Sequence, residues 1–260
     1  MAMEMEELIE ETVELILGAK KVVVFTGAGM STESGIPDFR GPGGLWTKYN
    51  PDDFTYQKFI KDPDVRKRSW QMFCMFRMMD LVQPNPAHYA IAELDKIGKL
   101  DCVITQNVDG FHQKAGVPEE KVIELHGTIK FVKCLSCGKR YRLEEITKRL
   151  DEGVEEPVCD DCGGMLKSAT ISFGEAMPVR ETAEAERRSR ECDLCLILGS
   201  SLVVYPAAYM PIYAMEAGAK LVIINVGTTS MDQYAHVRIN EKVGMVLPKI
   251  VDRVKSRLAS

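Results

Sequence analysis

The sequence lacks long apolar runs, and no stretch approaches the roughly 20 apolar residues needed to span a bilayer. The acidic residues 1–7 contain no apolar core of a secretory signal. Neither sign of charge dominates, since 33 Lys and Arg against 38 Asp and Glu leave a net charge of −5. Proteins that bind nucleic acid through its phosphates need an excess of basic residues. These absences favour a cytoplasmic protein with no membrane partner and no direct binding of nucleic acid.

Internal repeats, low-complexity tracts and long linkers are absent as well. With 260 residues, 45% hydrophobic and 27% charged, the chain can bury a full core. Short apolar runs typical of strands covered on both faces occur at 21–26, 102–105, 194–198 and 221–224. Helical patterns occur at 4–17, 87–97, 178–191, 207–217 and 250–258. This alternation predicts an α/β fold with a Rossmann-like, doubly wound and mainly parallel sheet.

Two regions interrupt the alternation of strands and helices. One, at about 41–85, begins with a glycine-rich turn and continues into a helix rich in Met and Phe. The other, at 128–168, contains two close pairs of cysteines. We therefore expect a Rossmann-like domain formed by 1–127 and 169–260, with the first region as a helical insertion, and a separate small module at 128–168.

The four cysteines of this module indicate a zinc site. Cys134 and Cys137 form one pair, Cys159 and Cys162 form the other, and 21 residues separate the pairs. Two such pairs give a closed tetrahedral site, which is structural because no position is left for a substrate. The gap slightly exceeds the usual zinc-ribbon range, and the helical run 144–150 explains the excess as an insertion. The alternative is that these residues form two disulfides or are four unrelated cysteines. Residues 128–168 hold eight basic and eight acidic residues, which does not favour a DNA-binding ribbon.

A third cysteine pair, Cys192 and Cys195, has the spacing of a redox motif. Cys195 lies inside the apolar run 194–198, whereas a catalytic pair needs an exposed first thiol with a lowered pKa. We therefore expect buried packing rather than redox chemistry. Free thiols among apolar neighbours also agree with a reducing compartment such as the cytoplasm.

A glycine loop, residues 26–31, follows the first predicted strand at the point where we expect the chain to turn into a helix. Gly27 and Gly29 stand where a backbone could approach a pyrophosphate, but Thr32 occupies the third glycine position of the dinucleotide fingerprint. No second strand ending in an acid follows about 20 residues later, as a ribose-binding dehydrogenase requires. A plain tight turn remains an alternative for this loop. The next residues, 34–41, place proline, acid, aromatic and arginine in succession, which does not indicate a hydride-transfer enzyme.

Together these segments resemble the sirtuin family, the NAD-consuming protein deacylases. The segment 27–41 carries the resemblance, and several later stretches agree in order: 105–112, His126 with Gly127, the four cysteines, Phe173 to Glu175, 199–206, and Ile224 with Asn225. The match extends from about residue 20 to about residue 250. It implies that NAD is the co-substrate, bound by the domain of residues 1–127 and 169–260, and that one zinc ion is structural.

The resemblance also implies roles for individual residues. His126 would be the catalytic base, accepting a proton from the ribose hydroxyls, although a single histidine at a strand end would otherwise be read as structural. Asn107 would hold ribose and a water, and Asp109 the departing carboxamide, while both could equally cap the next helix. His112 is expected to be structural. The implied cofactor-binding residues are Gly27, Ala28, Gly29, Ser31, Ile36, Asp38, Phe39, Arg40, Gln106, Asn107, Asp109, Ser200, Ser201 and Asn225.

The substrate is expected to be an acyl-lysine peptide that binds as a strand between two chain segments. Backbone pairing would supply affinity with little demand on peptide sequence. The implied substrate-binding residues are Phe173, Gly174, Glu175, Leu202, Val203 and Val204. Departures from the family pattern are Ser200 for threonine, Phe111 for leucine, and 167–169, where a proline is missing. None of them removes a catalytic group.

The apolar helix at 70–79 suggests which acyl group is accepted. Its plain interpretation is the core of the helical insertion, and a second is that it lines the acyl pocket. Members that prefer succinyl groups carry tyrosine and arginine where this chain has Phe73 and Phe76. An apolar wall offers no partner to a carboxylate, so we expect uncharged acyl groups over succinyl.

Three functions therefore compete on the sequence. NAD-dependent deacylation with formation of O-acyl-ADP-ribose leads. Mono-ADP-ribosyl transfer to a protein nucleophile is the second, and His126 favours deacylation over it. A nucleic-acid-binding zinc ribbon without enzymatic activity is the third, and the balanced charge of the module does not favour it.

Overall fold

The computed structural model describes residues 2–41, 43–76 and 82–259. Within these ranges the chain forms strands β1 (Val22–Thr26), β2 (Leu100–Thr105), β3 (Val122–Glu124), β4 (Gly127–Cys134), β5 (Arg140–Arg142), β6 (Leu166–Thr170), β7 (Leu194–Leu198), β8 (Lys220–Ile224) and β9 (Val237–Ile239). The helices are α1 (Ala2–Gly18), α2 (Tyr56–Lys61), α3 (Pro63–Phe76), α4 (Pro86–Lys96), α5 (Phe111–Lys114), α6 (Leu143–Asp151), α7 (Val179–Glu191), α8 (Tyr209–Glu216) and α9 (Val243–Leu258).

Six of the strands form one sheet in the order β3-β2-β1-β7-β8-β9, and every neighbouring pair in it is parallel. One buried apolar cluster packs α1, α4 and α9 against one face, and a second packs α7 and α8 against the other. Strands β1 and β7 are buried at every position, as expected for apolar runs covered on both sides. The expected Rossmann-like, doubly wound α/β fold is confirmed.

The strand order reverses between β1 and β7. In a parallel sheet the loops that leave the carboxyl ends of the strands diverge at such a point and open a crevice for a ligand. The glycine loop leaves β1 on this edge, and Gly199 and Ser200 leave β7 beside it.

In two places, directly after β1 and at the start of α9, the helices differ from those that the sequence predicts. Two short 3-10 turns, Ala28–Met30 and Thr32–Ser34, replace the helix expected after the glycine loop. The left-handed Gly35 (φ 90°) ends the second turn, and Pro37 follows it, so a continuous helix cannot form there. Helix α9 begins at Val243, earlier than expected, and contains Pro248.

The two regions that interrupt the alternation share a core. The insertion contains 3-10 turns at Leu45–Thr47 and Pro51–Phe54, followed by α2 and α3. Strands β5, β4 and β6 form an antiparallel sheet in that order, with α6 beside it. Trp70 and Phe73 of α3 are buried against Val132, Tyr141 and Ile146 of this smaller sheet and its helix.

None of the helices in the described part of the chain is both long and apolar enough to cross a membrane.

Candidate active site and metal centre

The glycine loop and the end of β7 cross at very close range. Gly29 N donates to Gly199 O at 2.9 Å, and Gly27 N donates to Leu198 O at 3.1 Å. A Cβ on Gly199, which has a φ of 61°, would lie 2.2 Å from Met30 N. Glycine is therefore required at this crossing by both conformation and space. Glycine-containing loops at the end of a strand are suited to approaching a phosphate.

Asn107 and Asp109 follow β2 and bond to the glycine loop. Asn107 is only 8% exposed, and its Nδ2 donates to Gly27 O at 3.1 Å. Asp109 accepts from the Ser31 hydroxyl at 2.8 Å and from Phe111 N at 3.0 Å. Burial raises the pKa of Asp109, although the bonds from Phe111 and Ser31 act in the opposite direction. Asp109 therefore bonds to the first residue of α5, whose N-cap is Gly110, and also to the glycine loop.

A buried chain of hydroxyl groups lies behind Asn107. Thr105 Oγ1 accepts from Asn107 N at 3.0 Å and from the Thr26 hydroxyl at 2.8 Å, and Thr26 Oγ1 lies 3.0 Å from His112 Nε2. Burial lowers the pKa of His112 to about 3, with His88 adding to the effect. His112 is thus a neutral residue inside the protein, and its structural assignment agrees with this position.

His126 lies after β3, on the edge where the crevice opens. Its Nδ1 lies 3.1 Å from Gln106 O. A carbonyl oxygen can only accept, so Nδ1 carries the proton and the lone pair is on Nε2. Burial lowers the pKa of His126, and the bond to Gln106 O opposes this. The ring is therefore neutral at pH 7, with one nitrogen able to accept a proton.

The loop at 36–47 forms an aromatic cluster with Phe54 and Phe173. Trp46 contacts Phe39 at a centroid distance of 5.1 Å, Phe54 at 5.0 Å and Phe173 at 6.0 Å. Phe39 and Phe173 are each partly exposed on this cluster. The cluster thus joins the loop implied in cofactor binding to the segment implied in peptide binding.

Asp38 stabilises the same loop. Its Oδ1 accepts from Gly41 N at 2.7 Å, and its backbone oxygen accepts from Leu45 N at 2.8 Å. Ile36 is half-buried and Arg40 is exposed. The side chain of Asp38 is therefore hydrogen-bonded within its own loop and also lines the cavity.

A cavity extends from the glycine loop to the far end of the sheet. It is lined by Gly29, Gly199, Asn225, Glu241, Lys242 and Val243, among others. Ser200 is buried and accepts from Gln106 Nε2 at 2.9 Å, and Ser201 follows it half-buried. Glu33 carboxylate accepts from Gly244 N at 2.7 Å and so connects the glycine loop to the start of α9.

The two segments implied in peptide binding lie on separate elements. Phe173 and Gly174 are exposed, whereas the Glu175 carboxylate is directed inward between two lysines. Leu202 is buried in a left-handed conformation (φ 58°), which is uncommon for a residue with a side chain. Val203 is half exposed beside it, and Val204 follows.

The four cysteines of the module lie in one cluster. All four Sγ atoms lie within 4.8 Å of one another, and both Cys134–Cys162 and Cys137–Cys159 are 3.6 Å apart. A tetrahedral zinc ion with 2.3 Å bonds to sulfur sets an edge of about 3.8 Å. A disulfide would need about 2.05 Å, so the disulfide alternative is wrong. The cluster can hold a zinc ion with all four positions filled by protein.

Tyr141 supports this metal centre from behind. Its hydroxyl donates to Cys159 Sγ at 3.2 Å and accepts from Asp160 N at 3.0 Å. The bond from Tyr141 lowers the pKa of Cys159 to about 6, which favours the thiolate that zinc requires.

The other predicted cysteine pair, Cys192 and Cys195, is buried away from the metal centre. Burial raises the pKa of both thiols, as expected for packing residues.

The family model described as the Sir2 family matches residues 27–206, more than half of the chain. The chain belongs to the Sir2 family. The match to the family model therefore confirms the resemblance carried by the segment 27–41 and by the later blocks.

Named relatives of this Sir2-family protein match it over nearly its whole length. NAD-dependent protein deacylase 2 of Archaeoglobus fulgidus is 44% identical, covering 96% of this chain and 98% of that relative. The NAD-dependent protein deacetylase of Thermodesulfovibrio yellowstonii is 45% identical and covers 96% of each chain.

Solved Sir2 structures are similar to it in fold. One Sir2 enzyme has a TM-score of 0.87 and 44% identity, with 97% of this chain and 99% of that chain covered. A Sir2 structure with a p53 peptide and NAD+ has a TM-score of 0.84 and 38% identity, covering 96% and 98% of the two chains.

Several residues at this Sir2-family site were missed by sequence reasoning. Trp46 joins the aromatic cluster, and Glu241 to Val243 line the cavity from the start of α9. The inward bonds of Glu175 were also missed. No sequence motif marks these residues as part of the site, because each of them comes to the site through contacts between distant segments.

Proposed function

We propose that this Sir2-family protein is an NAD-dependent protein-lysine deacylase that transfers the acyl group to ADP-ribose and releases nicotinamide. The observation that carries the proposal is the state of His126. Its Nδ1 is held by Gln106 O, burial lowers its pKa and so favours the neutral ring, and Nε2 is left to accept a proton at the carboxyl edge of the sheet. A deacylase must also bind NAD and the peptide and exclude water, and the residues around the crevice would do both.

NAD, when bound, supplies a ribose carbon that an acyl-lysine oxygen can attack as nicotinamide leaves. The amide groups around Gly27, Ala28 and Gly29 would meet the pyrophosphate, and Ser200, Ser201 and Asn225 the remaining phosphate and ribose groups. Support comes from the close crossing of the glycine loop with Gly199, where bonds from Gly27 N and Gly29 N to the end of β7 hold the loop beside the crevice.

Asn107 would orient the ribose. Its Nδ2 is committed to Gly27 O, which fixes the amide and leaves Oδ1 to accept from a ribose hydroxyl. His126 Nε2 would then take the hydroxyl proton as that oxygen attacks the acyl carbon. Asp109 would accept from the carboxamide that leaves, close to Ser31 and Gln106.

The loop at 36–47 would exclude water from the reacting ribose. Phe39 would cover one face, with Trp46 behind it holding the ring in place. Ile36 and Asp38 would line the nicotinamide side, and exposed Arg40 would contact the dinucleotide. Excluding water matters because water would otherwise compete with the acyl-lysine oxygen.

The peptide would bind as a strand between Phe173–Glu175 and Leu202–Val204. The p53 peptide in the related Sir2 structure is consistent with a peptide substrate. For the acyl group we propose uncharged chains over succinyl. Phe73 is buried in the cluster with the smaller sheet, which agrees with its interpretation as core of the insertion, and the side chain of Phe76 lies outside the described residues.

The remaining proposals concern organisation and location. Residues 1–127 and 169–260 would form the NAD-binding domain, and 128–168 the zinc module. We place the protein in the cytoplasm because the described cysteines outside the zinc cluster are buried free thiols. Direct binding of nucleic acid is not expected, given the net charge of −5.

The test is nicotinamide release from NAD with an acetyl-lysine peptide, followed by mass spectrometry of the products. Wild type should give peptide-dependent release, deacetylated peptide and O-acetyl-ADP-ribose. His126→Ala should lose about 100-fold or more in the rate of deacetylated-peptide formation, because the base is gone.

The matched control is His236→Ala, which removes an exposed histidine at the other end of the sheet and should leave turnover unchanged. ADP-ribose attached to a protein, with no deacetylated peptide, would replace the proposal with ADP-ribosyl transfer. DNA affinity that falls with salt, with no NAD turnover, would replace it with the nucleic-acid-binding alternative.

A further inference from the structure

The short segment 171–175 is bonded to two other parts of the molecule through its backbone. Ile171 N donates to His126 O at 2.8 Å. Phe173 pairs with the helical insertion, donating to Phe54 O at 3.1 Å and accepting from Tyr56 N at 2.9 Å. The segment that would bind the peptide thus connects directly to the residue proposed as base and to the insertion.

A third attachment is an ion cluster formed by the Glu175 carboxylate. Lys167 Nζ lies 2.9 Å from Oε2, and Lys133 Nζ lies 3.0 Å from Oε1. The Lys167 side chain is 3% exposed and that of Glu175 is 10% exposed, while Lys133 is 33% exposed. Lys167 belongs to β6 and Lys133 to β4, so both cations come from the sheet of the zinc module.

The carboxylate also determines the local shape of the segment. Oε2 accepts from Ser172 N at 3.0 Å, and Glu175 N donates to Ser172 O at 3.0 Å, so the two residues close a turn. Lys167 donates in addition to Thr170 O at 2.6 Å, just before the segment. A buried ammonium group needs a bonded anion, and Glu175 is that anion. The charged groups therefore hold the turn and β6 together as one unit.

We propose that Glu175 is a positioning residue for the peptide substrate, through which the zinc module holds segment 171–175 in a fixed conformation before the peptide binds. Its side chain points into the protein and its N–H is bonded to Ser172 O, whereas the neighbouring Gly174 is exposed. This inference rests on the proposed function, because it takes the peptide as the ligand of the segment. A segment that is already ordered binds without the entropy loss of ordering it, so loosening the turn weakens peptide binding rather than the later proton transfer.

The variant that tests this is Glu175→Gln, which keeps the shape of the side chain and removes its charge. We expect the KM for peptide to rise about 10-fold, with kcat and the KM for NAD within about 2-fold of wild type. A residue that merely supports the fold would not separate peptide KM from the other constants in this way. Equal losses in kcat and in both KM values would overturn the proposal.

The matched control is Glu155→Gln. Glu155 pairs with Lys67 at 2.8 Å and also ties the zinc module to the rest of the chain, but this pair is 72% and 44% exposed and lies away from segment 171–175. Its kinetic constants should equal those of wild type. A rise in peptide KM equal to that of Glu175→Gln would show a general effect of module attachment and would overturn the assignment to Glu175.

A second variant covers the case in which Glu175→Gln does not fold, since it leaves the buried Lys167 without its anion. The double variant Lys167→Met with Glu175→Gln removes both charges, and we expect it to unfold near the wild-type temperature. Its peptide KM should remain raised, because the turn at 172–175 still lacks its carboxylate. A wild-type peptide KM in the folded double variant would overturn the proposal.

Amide hydrogen exchange, measured without peptide or NAD, separates this inference from the proposed function. We expect faster exchange of Phe173, Glu175 and Tyr56 amides in Glu175→Gln and no change in Glu155→Gln. Unchanged exchange in Glu175→Gln would overturn the positioning role even if deacylation is established. Absence of peptide-dependent turnover by wild type would overturn the proposed function, and with it the peptide as ligand, whatever the exchange rates.

Discussion

The six-stranded sheet and the zinc module depend on different sources of stability, although one chain forms both. The sheet buries β1 and β7 completely between two layers of helices. The module has three strands and a smaller buried cluster, in which Cys134 and Cys159 pack together with Trp70 and Phe73 of the insertion. A region with a full apolar core can fold without metal, whereas a small module with few apolar residues gains its folding energy largely from the ion.

The largest expected difference follows from removing one cysteine in each region. Cys159→Ala should lose the metal and unfold the module, because three thiolates do not close a structural site. Cys195→Ala, in β7, should keep the metal and lower the free energy of unfolding by about 1–3 kcal/mol, since it removes one buried sulfur. Metal content and thermal unfolding of the two variants test this. A Cys159→Ala protein that retains stoichiometric zinc would contradict the ligand assignment.

Acid should destabilise the larger, Rossmann-like part of the protein through two buried histidines in α4 and α5. Burial lowers the pKa of His88 to about 4 and that of His112 to about 3, whereas both titrate near 6.5 in the unfolded chain. As the pH falls below 6.5 the unfolded state binds protons that the folded state does not, so the free energy of unfolding decreases. Between pH 6.5 and 4 we expect a loss of about 3 kcal/mol for each histidine.

Denaturant unfolding as a function of pH measures this loss. Replacing His112 by Gln should flatten the dependence, whereas His236→Gln, at an exposed position, should leave it unchanged. An equally steep dependence in His112→Gln would locate the acid-sensitive group elsewhere.

Removing an isoleucine should sharpen the comparison further. Ile197 in β7 and Ile146 in α6 are both fully buried. Ile197→Ala should cost about 2–5 kcal/mol of global stability at any zinc concentration. In Ile146→Ala the loss should appear mainly as weaker zinc affinity, because folding of the module and binding of the ion are coupled. Unfolding measured with and without a chelator distinguishes the two, and equal behaviour would contradict separate sources of stability.

The smallest effect is expected from the hydroxyl behind the metal centre. Tyr141→Phe removes the bond to Cys159 Sγ and keeps the ring in its apolar cluster. Zinc affinity should fall by about 10-fold, since outer-shell partners orient the ligands and favour the thiolate. Competition with a chromophoric chelator measures the change. Unaltered affinity would mean that the backbone amides near Cys134 and Cys137 are sufficient.

Sequence patterns predicted the large elements well because those patterns follow from burial. Apolar runs predicted β1, β2, β7 and β8 within two residues, and a helix was expected where α6 lies. The start of α9 was predicted seven residues late, because Gly244 and Pro248 are residues that disfavour a helix and both lie in its first two turns. The prediction of a helix after the glycine loop was wrong. It followed the dinucleotide-binding pattern and neglected Gly35 and Pro37, which prevent a continuous helix there.

Short motifs identified the candidate site residues, but not how those residues are held. The tautomer of His126 depends on Gln106 O, and the orientation of Asn107 depends on Gly27 O. Each of these bonds joins residues at least 20 positions apart, and no local pattern encodes such a distance. The same holds for Lys133 and Lys167, because no local pattern pairs either lysine with Glu175.

By itself the sequence determined the alternation of strands and helices, the four zinc ligands and the family, because apolar periodicity, cysteine spacing and glycine-containing motifs are local. Only the tertiary structure decided the order of strands, the crossing of Gly29 with Gly199, and the junction of the zinc module with segment 171–175. These features arise from packing between distant segments. Their energies depend on burial and on distances that exist only once the chain has folded.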